Sequence, residues 1–149
     1  GVAIKPETYF ELSKHERIVA VKEANGDLSS VAETRYLCGD NLDVYSGNDD
    51  QTIPMMSLGG IGVISVLSNI MPQTMHDMCD AFLKGDSKTA MDLQVKTTGL
   101  IKALFSDVNP IPVKEAMNIL GVDVGPVRLP LCSTNEKNIE LIKKELEKI

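Results

Sequence analysis

Lys22 ends the stretch Ile18-Val19-Ala20-Val21-Lys22, where four small or branched apolar residues finish on an ammonium group before the turn residues Asn25-Gly26-Asp27. Such a run reads as a strand. The carboxyl end of a parallel strand is where βα-barrel enzymes keep their chemistry. A partly desolvated amine there has a pKa pushed below its ordinary value of about 10.4. Once neutral it is a nucleophile that forms a Schiff base with a carbonyl compound. The plainer reading is a lysine that snorkels at a strand end and pairs with a carboxylate. Spacing alone favours that plainer reading.

Two further stretches carry chemical possibilities. Tyr45-Ser46-Gly47-Asn48-Asp49-Asp50 closes a second apolar run. Gly47 lets backbone approach a ligand closely, because it has no Cβ. Asn48, Asp49 and Asp50 suit a helix N-cap and its first turn. They lack the spacing of a calcium loop. Gly59-Gly60-Ile61-Gly62-Val63-Ile64-Ser65-Val66 is glycine-rich, but a phosphate cradle needs its glycines after a strand and before a helix. Here they follow a helix and precede a strand, which excludes the dinucleotide reading. Cys38, Cys79 and Cys132 form no CxxC pair, and neither His15 nor His76 stands at ligand spacing from them. The expectation is therefore no metal site, and reduced thiols in a cytoplasmic protein.

These residues need elements to hold them. The pattern predicts a helix from Pro6 to about Lys14, a strand over Ile18–Lys22 and a helix from Leu28 to about Leu37 capped by Asp27. A strand over Asp43–Ser46, a helix over Gln51–Leu58 and a strand over Gly62–Val66 follow. Pro72 opens a helix with Met75, Met78, Cys79, Phe82 and Leu83 on one face. Strand alternation sets Ile18, Ala20 and Lys22 on one face and Val19, Val21 and Glu23 on the other. After Gly85 only helices are predicted, over Ser87–Phe105, Pro112–Leu120 and Thr134–Lys148. The last carries a Ser133/Glu136 capping box and the apolar face Ile139, Ile142, Leu146 and Ile149. The fold class is thus α/β with parallel strands. Three strands leave two apolar edges unpaired, which predicts that part of the sheet is absent or supplied by a partner.

The bulk numbers agree with a soluble domain. The 149 residues are 43% hydrophobic and 24% charged, and no apolar run reaches the roughly 18 to 20 residues of a membrane span. A net charge of −6 argues against nucleic acid as a partner. No apolar signal segment is visible near Gly1, and a start without Met predicts that the numbering begins inside a longer chain.

Three stretches, "VAVKEANGDLS", "YSGNDD" and "GGIGVISVLSN", together resemble the dihydrodipicolinate (4-hydroxy-tetrahydrodipicolinate) synthase family, and "NPIPVKEAMNILG" and "VRLPL" extend the match. The resemblance implies a (β/α)8 TIM barrel followed by a C-terminal helical domain. Of these, the chain would hold only the last three or so βα units (residues 1–85) and the helical domain (residues 86–149). It implies that Lys22 condenses with pyruvate, that the Gly47 backbone lines the pyruvate site and that the Ile64 side chain packs on the bound pyruvate. L-aspartate 4-semialdehyde would be the acceptor, in lysine and diaminopimelate biosynthesis. No cofactor is implied beyond the substrate Schiff base on Lys22.

The departure is large. The family's proton relay of two tyrosines and a threonine, and the arginine that holds the pyruvate carboxylate, would precede Gly1; Tyr9, Tyr36 and Tyr45 do not match the relay. The isolated chain is therefore expected to be an inactive fragment. It would assemble with the missing N-terminal half or another copy, within a homo-oligomer. An N-acetylneuraminate or keto-deoxy-sugar-acid lyase of the same superfamily, or a non-catalytic half-barrel, are the alternatives. "KEANGDL" and "SGNDD" look more like the synthase.

Overall fold

A computed structural model describes residues 2–149; the loop expected to begin at Gly1 lies partly outside these residues. The elements are α1 (Pro6–Leu12), β1 (Ala20–Glu23), α2 (Leu28–Cys38), β2 (Asp43–Ser46), α3 (Thr52–Ser57), β3 (Gly62–Val63), α4 (Pro72–Leu83), α5 (Ser87–Leu104), α6 (Ile111–Ile119) and α7 (Glu136–Leu146). The three strands form a parallel sheet in the order β1-β2-β3. Lys22 stands beside Tyr45, and Tyr45 beside Gly62. One edge of β1 and one edge of β3 have no strand neighbour among the described residues.

Local chemistry explains most boundaries. Pro6 and Pro72 sit in the first turns of α1 and α4, where no intrahelical N–H is lost. Asp27 caps α2 by accepting from the Ser29 and Ser30 amides. Gly59 turns the chain out of α3 at φ +91°, a conformation that disfavours side chains.

The largest apolar cluster joins Ile53 and Met56 of α3, Met75 and Met78 of α4, Leu104 of α5 and Ile142 of α7. Packing is therefore continuous across Gly85. Met78 is fully buried, which contributes roughly 1.5–3 kcal/mol relative to exposure. A smaller cluster of Tyr9, Cys38 and Leu42 lies between α1, α2 and β1, and Val31, Val44 and Met55 form a third. No helix among the described residues is long and apolar enough to cross a membrane.

Several expectations are corrected. β3 pairs only through Gly62–Val63, although the Ile64 amide still donates to the Ser46 carbonyl at 2.8 Å. Beyond it the Val66 and Leu67 amides both turn to the Asp49 carboxylate at 3.0 Å, and a 3-10 turn begins. Ile18 packs with Tyr9 on the helix side while Val19 is exposed, the reverse of the predicted alternation. The ladder starts only at Ala20, and Ile18 still belongs to the turn closed by its amide on the His15 carbonyl. α7 starts at Glu136 with Asn135 as its cap, so the Ser133/Glu136 box does not form. Thr134 instead donates to Asp107 at 2.8 Å. Leu83 and Ile149 are exposed rather than packed.

Candidate active site

β1, β2 and β3 end side by side, and the face that carries Lys22 also carries Tyr45, Gly47, Gly62 and Ile64. The opposite face, toward the helices, buries Val44 and Ser46 and nearly buries Glu23. Lys22 is exposed, so the partial desolvation expected of its amine is not met within this chain, but its stem stays on this surface. A Cβ placed on Gly47 would lie 2.9 Å from Lys22 Cε and 2.7 Å from Ala24 Cβ. The lysine stem thus crosses directly over Gly47, a close approach that only a residue without a side chain permits. The Gly47 amide donates to the Glu23 carbonyl at 2.7 Å, tying the ends of β1 and β2 together.

Lys22 and Ile64 line one cleft of about 410 Å³. Ser65, Val66 and Asn69 continue the Ile64 wall, and Asn109, Val113 and Lys114 close it from the loop before α6 and from α6 itself. Two lysines line this cleft, and no carboxylate does among the described residues. A positive, carboxylate-free cleft concentrates anions. Lys22 and the half-exposed Ile64 are open on the unpartnered side of the sheet.

Two anchors lie behind the strand ends; Glu23 was given no role in the sequence, and Asp49 only a place at a helix start. Glu23 accepts from the Ala24 and Asn25 amides at 2.8 Å each with one carboxylate oxygen. Its other oxygen accepts from the Tyr9 hydroxyl at 3.1 Å. Burial, reinforced by the Glu23 charge, pushes the Tyr9 phenol up to about 12. The available signal was a charged residue on the helix side of a parallel strand, which demands a polar partner.

Asp49 is the second anchor. It is fully buried in the first turn of a short 3-10 helix, Asp49–Gln51, that follows Asn48; the placement is the expected one, but the Asn48 side chain makes no capping bond. Its carboxylate holds the Val66–Leu67 turn. Its carbonyl accepts from Thr52 Oγ1 at 3.0 Å and from Gln94 Nε2 at 2.9 Å. Gln94 also accepts from the Ile53 amide at 3.1 Å, so α5 braces the site from outside the sheet. The α6 wall of the cleft was legible only as a sequence motif, because its approach to Lys22 depends on how α5 and α6 fold back.

The sequence profile of the dihydrodipicolinate synthetase family matches residues 1–149. A 4-hydroxy-tetrahydrodipicolinate synthase of Clostridium tetani is 54% identical over 98% of this chain and 50% of the relative. Among solved structures, the dihydrodipicolinate synthase of Aquifex aeolicus overlays 99% of this chain and 50% of its own with TM-score 0.94 at 38% identity. The chloride-inhibited synthase of Acinetobacter baumannii, complexed with pyruvate, overlays 97% and 50% with TM-score 0.92 at 33% identity. The chain spans about half the length of the curated relatives it matches. The α/β fold accords with the TIM-barrel fold of these relatives, with three parallel strands and their helices present here. Since the profile is matched from first residue to last and the backbone overlays half of each solved chain, the protein belongs to the dihydrodipicolinate synthetase family.

Proposed function

We propose that this chain carries the nucleophilic half of a pyruvate-dependent synthase, with Lys22 as the Schiff-base residue and Gly47 and Ile64 at the pyruvate. The observation that carries the reading is the Lys22 stem laid over Gly47 at a strand end, in a cleft shared with Ile64 and free of carboxylates. The lone pair of Lys22 Nζ adds to the ketone of pyruvate, and loss of water leaves an iminium. That iminium is the electron sink: a methyl proton departs and an enamine forms. The enamine carbon attacks the aldehyde of L-aspartate 4-semialdehyde. The acceptor's amine then displaces Lys22 Nζ, closing the ring of 4-hydroxy-tetrahydrodipicolinate and freeing the lysine. No cofactor beyond this covalent link enters the scheme. Both substrates carry carboxylates, which suits the charge of the cleft.

The proton-transfer groups and the remaining strands would come from an amino-terminal half-barrel or from another copy of the chain. The edges of β1 and β3 that are unpaired among the described residues, and exposed Val19 and Ile64 beside them, support that reading. An oligomeric, cytosolic enzyme fits it, as do the three free cysteines.

The test is borohydride trapping. The chain is incubated with pyruvate, alone and after complementation with the amino-terminal half of the Clostridium tetani relative, then reduced and digested. The expected result is one reduced pyruvate on the Lys22 peptide in the complemented sample. Adduct on any other lysine, or none, overturns the assignment.

A further inference from the structure

β1 sends two side chains toward the helices, Val21 and Glu23, and only one is charged. Glu23 is 9% exposed. A carboxylate in such a place is unfavourable unless hydrogen bonds compensate, and two of its three hydrogen bonds fall on the turn that follows Lys22. One oxygen holds the amides of Ala24 and Asn25, the two residues that continue the chain past the lysine and its neighbour. The other is held by the Tyr9 hydroxyl from α1. Asn25 in turn accepts from the Asp27 amide at 2.8 Å, and Asp27 caps α2. The turn after β1 is therefore clamped at both ends.

The clamped turn and the lysine stem meet over one residue, Gly47. Ala24 Cβ and Lys22 Cε both close on the space above Gly47, at 2.7 and 2.9 Å from where a Cβ would stand. The Glu23 carbonyl accepts from the Gly47 amide on the same spot. If the turn loosens, Ala24 moves off Gly47 and the lysine stem loses its bed.

We propose that Glu23, seated by Tyr9, is a positioning residue for Lys22: from the far face of β1 it sets the direction in which the amine enters the cleft. The inference rests on the reading of Lys22 as the nucleophile. Glu23 touches no substrate in this scheme. Its effect passes through the geometry of attack, where a displacement of about 1 Å costs on the order of a hundredfold in rate.

The test uses the complemented chain and measures the rate constant of borohydride-trapped pyruvate adduct per reactive site, together with final adduct yield and melting temperature. Glu23→Ala is expected to slow adduct formation by about 10- to 100-fold per site while folded chains still reach full yield. Glu23→Gln, whose amide oxygen still accepts from Ala24 and Asn25, recovers most of that rate. A role in stability alone would lower the melting temperature or the yield and leave the rate per site unchanged, and that result overturns the proposal. Should Glu23→Ala fail to fold, Glu23→Asp takes its place. It keeps the charge but is one methylene too short to hold Tyr9 and both amides at once. A wild-type rate per site in Glu23→Asp overturns the proposal, and a slowed one supports it. No adduct in the unsubstituted complemented chain removes the Lys22 reading, and this inference with it; normal adduct there with unchanged variants removes this inference alone.

Discussion

Replacing Gly47 with alanine isolates the contact on which the site depends. The backbone of Gly47 lies outside the left-handed region, so the change introduces no dihedral strain. Its whole effect is steric. The new methyl would stand 2.7 Å from Ala24 Cβ, 2.9 Å from Lys22 Cε and 3.2 Å from the Glu23 carbonyl oxygen. Carbon atoms pack best at about 3.5–4.0 Å, so the first two contacts fall short by roughly 0.6 Å or more. Ala24 has no rotamer with which to yield, and the turn that carries it is clamped by Glu23. Lys22 is the flexible partner, so its stem moves. Overpacking of this kind costs about 1–3 kcal/mol, which for a chain of this size lowers the melting temperature by roughly 2–10 °C. A displaced amine loses on the order of a hundredfold in rate. The assay pairs a thermal melt of the isolated chain with pyruvate trapping by the complemented one. Gly62→Ala is the control on the same face. Its Cβ would meet only the Tyr45 ring, at 3.5 Å, an ordinary contact, with no positive φ to disturb. It is expected to shift stability by about 0.5 kcal/mol or less. Equal behaviour of the two variants would refute the claim that the Lys22 stem is bedded on Gly47.

Other consequences are open to direct measurement. The Tyr9 phenol is held up to about 12, against 10.0 in the unfolded chain, so its contribution is fully present below pH 10 and is lost as pH rises toward 12. Denaturant titrations should show that loss reaching at most about 2–3 kcal/mol, and Tyr9→Phe should abolish the pH-dependent part. Asp49→Ala strands the Val66 and Leu67 amides and should cost about 2–4 kcal/mol, with increased amide hydrogen exchange at those two residues as its local signature. Met78→Ala opens a cavity in the main cluster and should cost about 2–5 kcal/mol by chemical denaturation.

Much of the fold was readable because its signals are local. Asp27 as a cap, Pro72 as a helix start and the Asp43–Ser46 strand depend on residues a few positions apart, and each stands where expected. Lys22 and Gly47 were singled out at the ends of apolar runs and Ile64 through the family resemblance, and parallel pairing brings neighbouring strand ends together. One miss arose where a distant group outbid the local pattern. β3 was read three residues too long because Asp49, seventeen positions before Val66, claims the amides that a longer strand would have used.

What the sequence determined by itself was the kind of structure and the chemistry on offer: alternating apolar runs and caps dictate parallel βα units, and a strand ending in lysine offers an amine. What only the tertiary structure decided was how that amine is held. Glu23 finds Tyr9 fourteen residues away, Gln94 reaches Asp49 forty-five residues away, and α6 folds back to wall the cleft beside Lys22. Hydrogen bonds and packing act through space, and one-dimensional spacing records distance along the chain only.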